Sequence, residues 1–126
     1  MRETMHTQES LRAGVAGLMM QDMVWLKYHP RTPALYQSGV YYRPESGTEE
    51  WKTIPYVIAD GYGDCEDLGA WRAAELRVSG INATPDIKIR QLPTGNWRAH
   101  VVVKLPDGTI EDPSAQLGMY AYGRRD

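Results

Sequence analysis

Three residues of this chain have the types, and the order, that nucleophilic thiol catalysis requires: Cys65, His100 and Asp112. Cys65 lies in the run Gly61-Tyr62-Gly63-Asp64-Cys65-Glu66-Asp67-Leu68, one residue after a good helix N-cap, Asp64. At the first turn of a helix, free backbone N–H groups and the helix dipole favour a thiolate, the nucleophilic form of cysteine. The same N–H groups can hold an oxyanion after attack on a carbonyl. Gly63 would let a substrate backbone come close. Glu66 and Asp67 act the other way and raise the thiol pKa, so a cationic partner is needed to tip the balance.

His100 is the candidate for that partner. It sits inside the alternating stretch Trp97 to Lys104, where Trp97, Ala99, Val101 and Val103 share the face that composition marks as buried. His100 shares the other face with Arg98, Val102 and Lys104. The following Leu105-Pro106-Asp107-Gly108-Thr109 suits a hairpin loop, a type I turn with Gly108 in the left-handed position. Leu105 then pairs with Thr109, which sets His100 opposite Ser114 and makes Asp112 its diagonal neighbour on the same face. A carboxylate there fixes the imidazole tautomer and stabilises its protonated form. Taken singly, each residue has a plainer role: an inert buried thiol, a solvent-facing strand histidine, and an Asp-Pro turn starter. Together they supply nucleophile, base and orienter. Spacing alone does not bring the helix start to His100.

The elements that must position these groups follow from periodicity. Thr7 to His29 has a helical pattern, with Leu11, Val15, Leu18, Met19, Trp25 and Leu26 on one side. Thr7 is its expected N-cap, Glu9 lies in the first turn, and His29-Pro30 ends it. The methionines Met19, Met20 and Met23 are read with Trp25 as core. Residues 30–60, rich in Pro, Tyr and Gly, are expected to be irregular: either a cleft wall carrying Tyr36, Tyr41, Tyr42, Trp51 and Tyr56, or a wrap that packs those rings. Asp64 to Ser79 is a second helix, with Asp67 placed for a capping box and Leu68, Trp71, Ala74, Leu76 and Val78 as its apolar surface. Gly80 stops it. Beyond Ile81 the period changes to two, through Ile87 to Arg90, a turn at Pro93-Thr94-Gly95-Asn96, Trp97 to Lys104, and Thr109 to Asp112. The expected class is α+β, a helix followed by an antiparallel meander in a single domain over residues 1–126.

The chain has 126 residues, 14 basic and 16 acidic, with a net charge of -2. That balance argues against nucleic acid as a partner, and Arg124 and Arg125 are too few for a polybasic tail. No stretch approaches a membrane span, and the Met1-Arg2-Glu3-Thr4 start lacks a signal-peptide pattern, so the expected location is cytoplasmic and no membrane partner is expected. The single cysteine rules out an intramolecular disulfide and a zinc site of several thiolates. A zinc site of Cys65, His100 and Asp112 is the lesser alternative to a thiol enzyme. The expected site therefore holds no metal and needs no cofactor.

The stretch Gly61 to Leu68, then Glu75-Leu76-Arg77, Gly80-Ile81, Trp97 to Val103, Asp107-Gly108 and Asp112-Pro113-Ser114, resembles the transglutaminase-like superfamily. The nearest likeness is to its bacterial transglutaminase-like cysteine peptidases, in which a Gly-Asp-Cys-Glu-Asp stretch often follows a Trp-x-Thr segment, here Trp51-Lys52-Thr53. The resemblance runs from about Trp51 to Met119. It implies a papain-like core with the nucleophile helix on an antiparallel sheet. It implies Cys65 as nucleophile, His100 as general base and acid, and Asp112 as orienter. It further implies acyl transfer from an amide of a protein or peptide substrate through a thioester. Water as acceptor makes a peptidase or amidase, and an amine makes a transglutaminase. The oxyanion would be held by the Cys65 N–H and a side-chain donor such as Trp51, with Asp64 adjoining the substrate. A non-catalytic peptide-binding module on the same fold, using residues 36–56, is the alternative from another class.

Overall fold

The computed structural model describes residues 5–44, 50–91 and 93–119. Arg124 and Arg125, Met1 to Thr4, and the side chain of Trp97 lie outside the described residues. Helix α1, Met5–Tyr28, puts Val15, Leu18, Met19 and Leu26 into the core, with Leu11, Met23 and Trp25 packed against them. It begins ahead of Thr7, which is therefore an interior residue and not the N-cap. Met20 is exposed, so the methionine cluster is only in part core. The helix stops before His29-Pro30, as expected from the proline.

The described residues between 30 and 60 are more regular than their composition suggests. A 3₁₀ turn forms at Leu35–Gln37, and β1, Tyr41–Tyr42, pairs in parallel with β2, Tyr62–Gly63. Helix α2, Ile54–Asp60, follows Thr53 at the N-cap position and carries a proline in its first turn. Gly61, at φ 85, closes it in the left-handed conformation. The Thr-Ile-Pro start was a readable helix signal, but seven residues are too few to show a helical period.

Helix α3, Cys65–Val78, is the centre of the molecule, packed between α1 and the sheet. Gly69, Ala70, Ala73 and Ala74 are all buried, which suits a helix covered on more than one side. Val78 is exposed, contrary to its expected place on the apolar face. At the C-terminus Gly80 N–H donates to the Arg77 carbonyl and Ile81 N–H to the Leu76 carbonyl, with Gly80 at φ 96.

The sheet has the order β3-β4-β5, with β3 at Thr84–Gln91, β4 at Trp97–Lys104 and β5 at Ile110–Glu111. It is antiparallel throughout, so the chain is α+β. Leu105 N–H donates to the Thr109 carbonyl at 2.8 Å, which closes the hairpin in the expected register. The ladder ends sooner than expected, after Val103↔Glu111. Asp112 instead caps the short helix α4, Pro113–Gln116, so Ser114 lies on α4 and not in a strand pair opposite His100. Val102 is buried like Val101 and Val103, so the His100 face of β4 is covered there and not open to solvent. Among the described residues no helix is long and apolar enough to cross a membrane.

Candidate active site

The start of α3 is built from carboxylates that accept backbone N–H groups. Asp64 is the N-cap, its side chain accepting from the Asp67 N–H at 3.2 Å, while Asp67 accepts from the Asp64 N–H at 3.2 Å. That is a complete capping box, and losing such a cap typically costs about 1 kcal/mol. The other oxygen of Asp67 accepts from the Lys52 N–H at 2.8 Å. Asp67 thus ties the Trp51-Lys52-Thr53 segment to the turn that carries Cys65. Burial, with the Asp64 carboxylate beside it, raises the Asp67 pKa. Gly63 is buried, and a Cβ there would stand 3.0 Å from the Asp67 Cβ. Its missing side chain therefore makes room for the first turn of α3 rather than for a substrate.

Cys65 is the first residue of α3 and is half-buried. Its Sγ lies 3.6 Å from Oε1 of Glu66, and the backbone N–H of Val101, the residue after His100, is directed at the same sulfur. Burial and the Glu66 charge push the thiol pKa well above its usual value, with Asp64 adding to them and the Val101 N–H opposing. The contact with β4 follows from Gly69, one helical turn further along the same face as Cys65. A Cβ on Gly69 would stand 2.6 Å from Cγ1 of Val101, so only glycine lets α3 approach this closely.

His100, on β4, and Asp112, at the end of β5, are brought together. Nε2 of His100 is 3.0 Å from both carboxylate oxygens of Asp112, with side-chain exposures of 18% and 28%. Asp112 also accepts from the Ala115 N–H at 3.3 Å, so one carboxylate caps α4 and holds the imidazole. Burial raises the Asp112 pKa, but the His100 hydrogen bond and charge, Ala115 N–H and Lys88 outweigh it, and the net shift is downward.

The remaining expected site residues have packing or capping roles. Asp64 is occupied as the N-cap, and the six-membered ring of Trp51 lies against Gly14 of α1, where an added Cβ would be 2.5 Å from Cη2 and Cζ3. Sequence reasoning missed Gly69, although its position four residues after Cys65 was a signal that both share one helix face. It also missed Arg72 and Glu111, which with Tyr36 brace the strand leading into Asp112, while Ser114, expected opposite His100, has a buried hydroxyl with no hydrogen-bond partner among the described residues. Among the described residues no group of three or more His, Cys, Asp or Glu is arranged to hold a metal ion. Compared with known proteins, the chain matches no family model, no curated protein and no solved structure.

Proposed function

We propose that this chain is a thiol-dependent acyl-transfer enzyme, a cysteine peptidase or amidase of transglutaminase-like kind on a papain-like core, with Cys65, His100 and Asp112 as its triad. The observation that carries the reading is the double contact of His100 Nε2 with Asp112, beside a helix-start cysteine whose sulfur meets the N–H of the next residue on the same strand. Asp112 holds Nε2, which leaves Nδ1 as the nitrogen that exchanges a proton with Cys65. The thiol proton passes to His100 as the sulfur bonds to the carbonyl carbon of a peptide or protein amide. The N–H of Cys65, which has no partner within its helix, faces the oxyanion formed there. Collapse breaks the C–N bond, the amine leaves with the proton from His100, and a thioester remains. Water, deprotonated by His100, hydrolyses the thioester and regenerates the thiol. An amine in place of water would give transglutaminase-type transfer.

The test is the pH dependence of Cys65 alkylation by iodoacetamide, followed by mass spectrometry in the parent and in His100→Ala. The parent is expected to react near neutral pH, through an ion pair with the imidazolium. In His100→Ala, burial and Glu66 are opposed by the Val101 N–H alone, and the onset should move above that of an ordinary thiol. A parent protein that reacts only at alkaline pH, with a profile unchanged by His100→Ala, would overturn the proposal in favour of a non-catalytic module.

A further inference from the structure

The strand that delivers Asp112 is weakly held by its own ladder. β5 has only the pairs Val103↔Glu111 and Lys104↔Ile110, and the helix after Asp112 is four residues long. From outside it is held by Arg72 of α3, alongside the buried Pro113 and Ser114 of α4 and the Tyr42 N–H, which donates to the Leu117 carbonyl at 2.8 Å. The Arg72 Nε donates to Oε1 of Glu111 at 2.5 Å, and its Nη1 donates to Oε2 of Glu75 at 2.7 Å. Tyr36 donates its hydroxyl to the same Glu111 oxygen at 2.6 Å, and its ring lies 4.7 Å from the Arg72 guanidinium carbon. Glu75 is fixed in turn, accepting from Trp71 Nε1 at 3.1 Å and from the Leu35 N–H at 3.0 Å. Arg72 and Glu111 are only 20% and 21% exposed, so their pairing is far less screened than a surface ion pair.

Cys65, Gly69 and Arg72 fall on one face of α3, and Arg72 is two turns from Cys65, about 10 Å along the axis. One rigid helix thus carries the thiol at its start, touches β4 at Gly69, and grips the residue just before Asp112. We infer that the Arg72–Glu111 bridge, roofed by Tyr36, is a positioning device that sets Asp112, and through it His100, relative to Cys65. The inference rests on the triad reading given above. It makes Arg72, Glu111 and Tyr36 positioning residues that touch no substrate, and it gives the aromatic stretch after Pro30 a task in holding the site.

Removing one partner outright would leave a partly buried charge unpaired, so conservative changes are the informative ones. Arg72→Lys keeps the charge and loses the fork, and Glu111→Gln keeps the shape and loses the charge. Each should be made in the parent and in Asp112→Asn. Three quantities are read: the His100 ring signals by NMR, the pH profile of Cys65 alkylation, and the melting temperature. In the parent, each change should move the His100 ring signals and slow alkylation near neutral pH by about 3- to 10-fold. On top of Asp112→Asn, the same change should add less than about twofold, because the path through Asp112 is already cut. Equal effects in both backgrounds, or a lower melting temperature with the His100 ring signals unmoved, would overturn the inference. If Arg72→Lys and Glu111→Gln fail to fold, Tyr36→Phe removes a single hydroxyl and carries the same cycle. The His100 ring signals decide the inference without reference to Cys65. Failure of the triad reading shows separately, as alkylation indifferent to His100→Ala.

Discussion

Gly69 on α3 and Val101 on β4 meet so closely that a single added carbon on Gly69 would stand 2.6 Å from the Val101 Cγ1. Val101 is buried and β-branched, so it has little freedom to yield. This is the point at which the helix that begins with Cys65 touches the strand that carries His100. Gly69→Ala gains helix propensity but must push the two apart. It should destabilise the protein by about 1–3 kcal/mol, as overpacking does, despite that gain. Alkylation of Cys65 near neutral pH should fall more than the melting temperature alone would explain, because the Val101 N–H moves off the sulfur. A mutant as stable and as reactive as the parent would show that the contact is relaxed at no cost.

Glu66 is the nearest opponent of the thiolate, with Oε1 3.6 Å from the sulfur. After burial, its charge is the largest influence raising the thiol pKa. Glu66→Gln removes that charge with little change of shape, so the alkylation profile should move to lower pH. The rate at pH 7 should rise several-fold. No movement, in a protein with the parent's melting curve, would mean that Glu66 is neutralised by another group in solution.

Asp112 has two partners, and its substitutions separate them. Asp112→Asn keeps an acceptor for the Ala115 N–H, since Asn caps helices as well as Asp, so the cap should survive and only the contribution of the charge is lost. Turnover should fall by on the order of 10 to 10³, less than in a serine triad because a thiol ionises more readily. Asp112→Ala should add a cap loss of about 1 kcal/mol. The folded-state pKa of Asp112 is depressed, so its contribution to stability is present above the ordinary carboxylate range and is lost as pH falls through the lower folded value. Acid melts of Asp112→Ala should therefore be less steep in pH than those of the parent. An Asp112→Asn protein with unchanged turnover and an unchanged thiol profile would leave Asp112 as a cap alone.

Asp22 is fully buried in the middle of α1. One oxygen accepts from the Ile54 N–H at 2.9 Å, at the start of α2, and the other has no partner among the described residues. Burial raises its pKa to about 7, against the opposing effect of the Ile54 hydrogen bond. The folded state therefore holds this proton more tightly than the unfolded chain. Its contribution to stability is full below the ordinary carboxylate range, declines as pH rises toward 7, and is level above that. Asp22→Asn should abolish this dependence and be more stable than the parent at pH 8, by roughly 2–4 kcal/mol. Melting curves at pH 5 and pH 8 check it. Equal pH dependence in mutant and parent would place the titration elsewhere.

What the sequence determined by itself was local. The capping box of Asp64 and Asp67, the Gly80 stop, the Leu105–Thr109 hairpin and the meeting of Asp112 with His100 all depend on hydrogen-bond geometry within a few residues, or on a register that a turn carries along a strand. Even there β5 ended early, because Asp112 serves as a helix cap and leaves the ladder. The tertiary structure alone decided how the halves of the site meet. Cys65 lies beside β4 because Gly69 has no side chain to hold α3 away, a contact between residues far apart in sequence that no period encodes. Packing likewise buried Asp22 within an apolar stripe, covered Val102 on the face expected to meet solvent, and set Arg72 of α3 against Glu111 of β5. A side chain's period says which way it points from its own element. Which other element lies there depends on how all the elements bury their apolar faces at once.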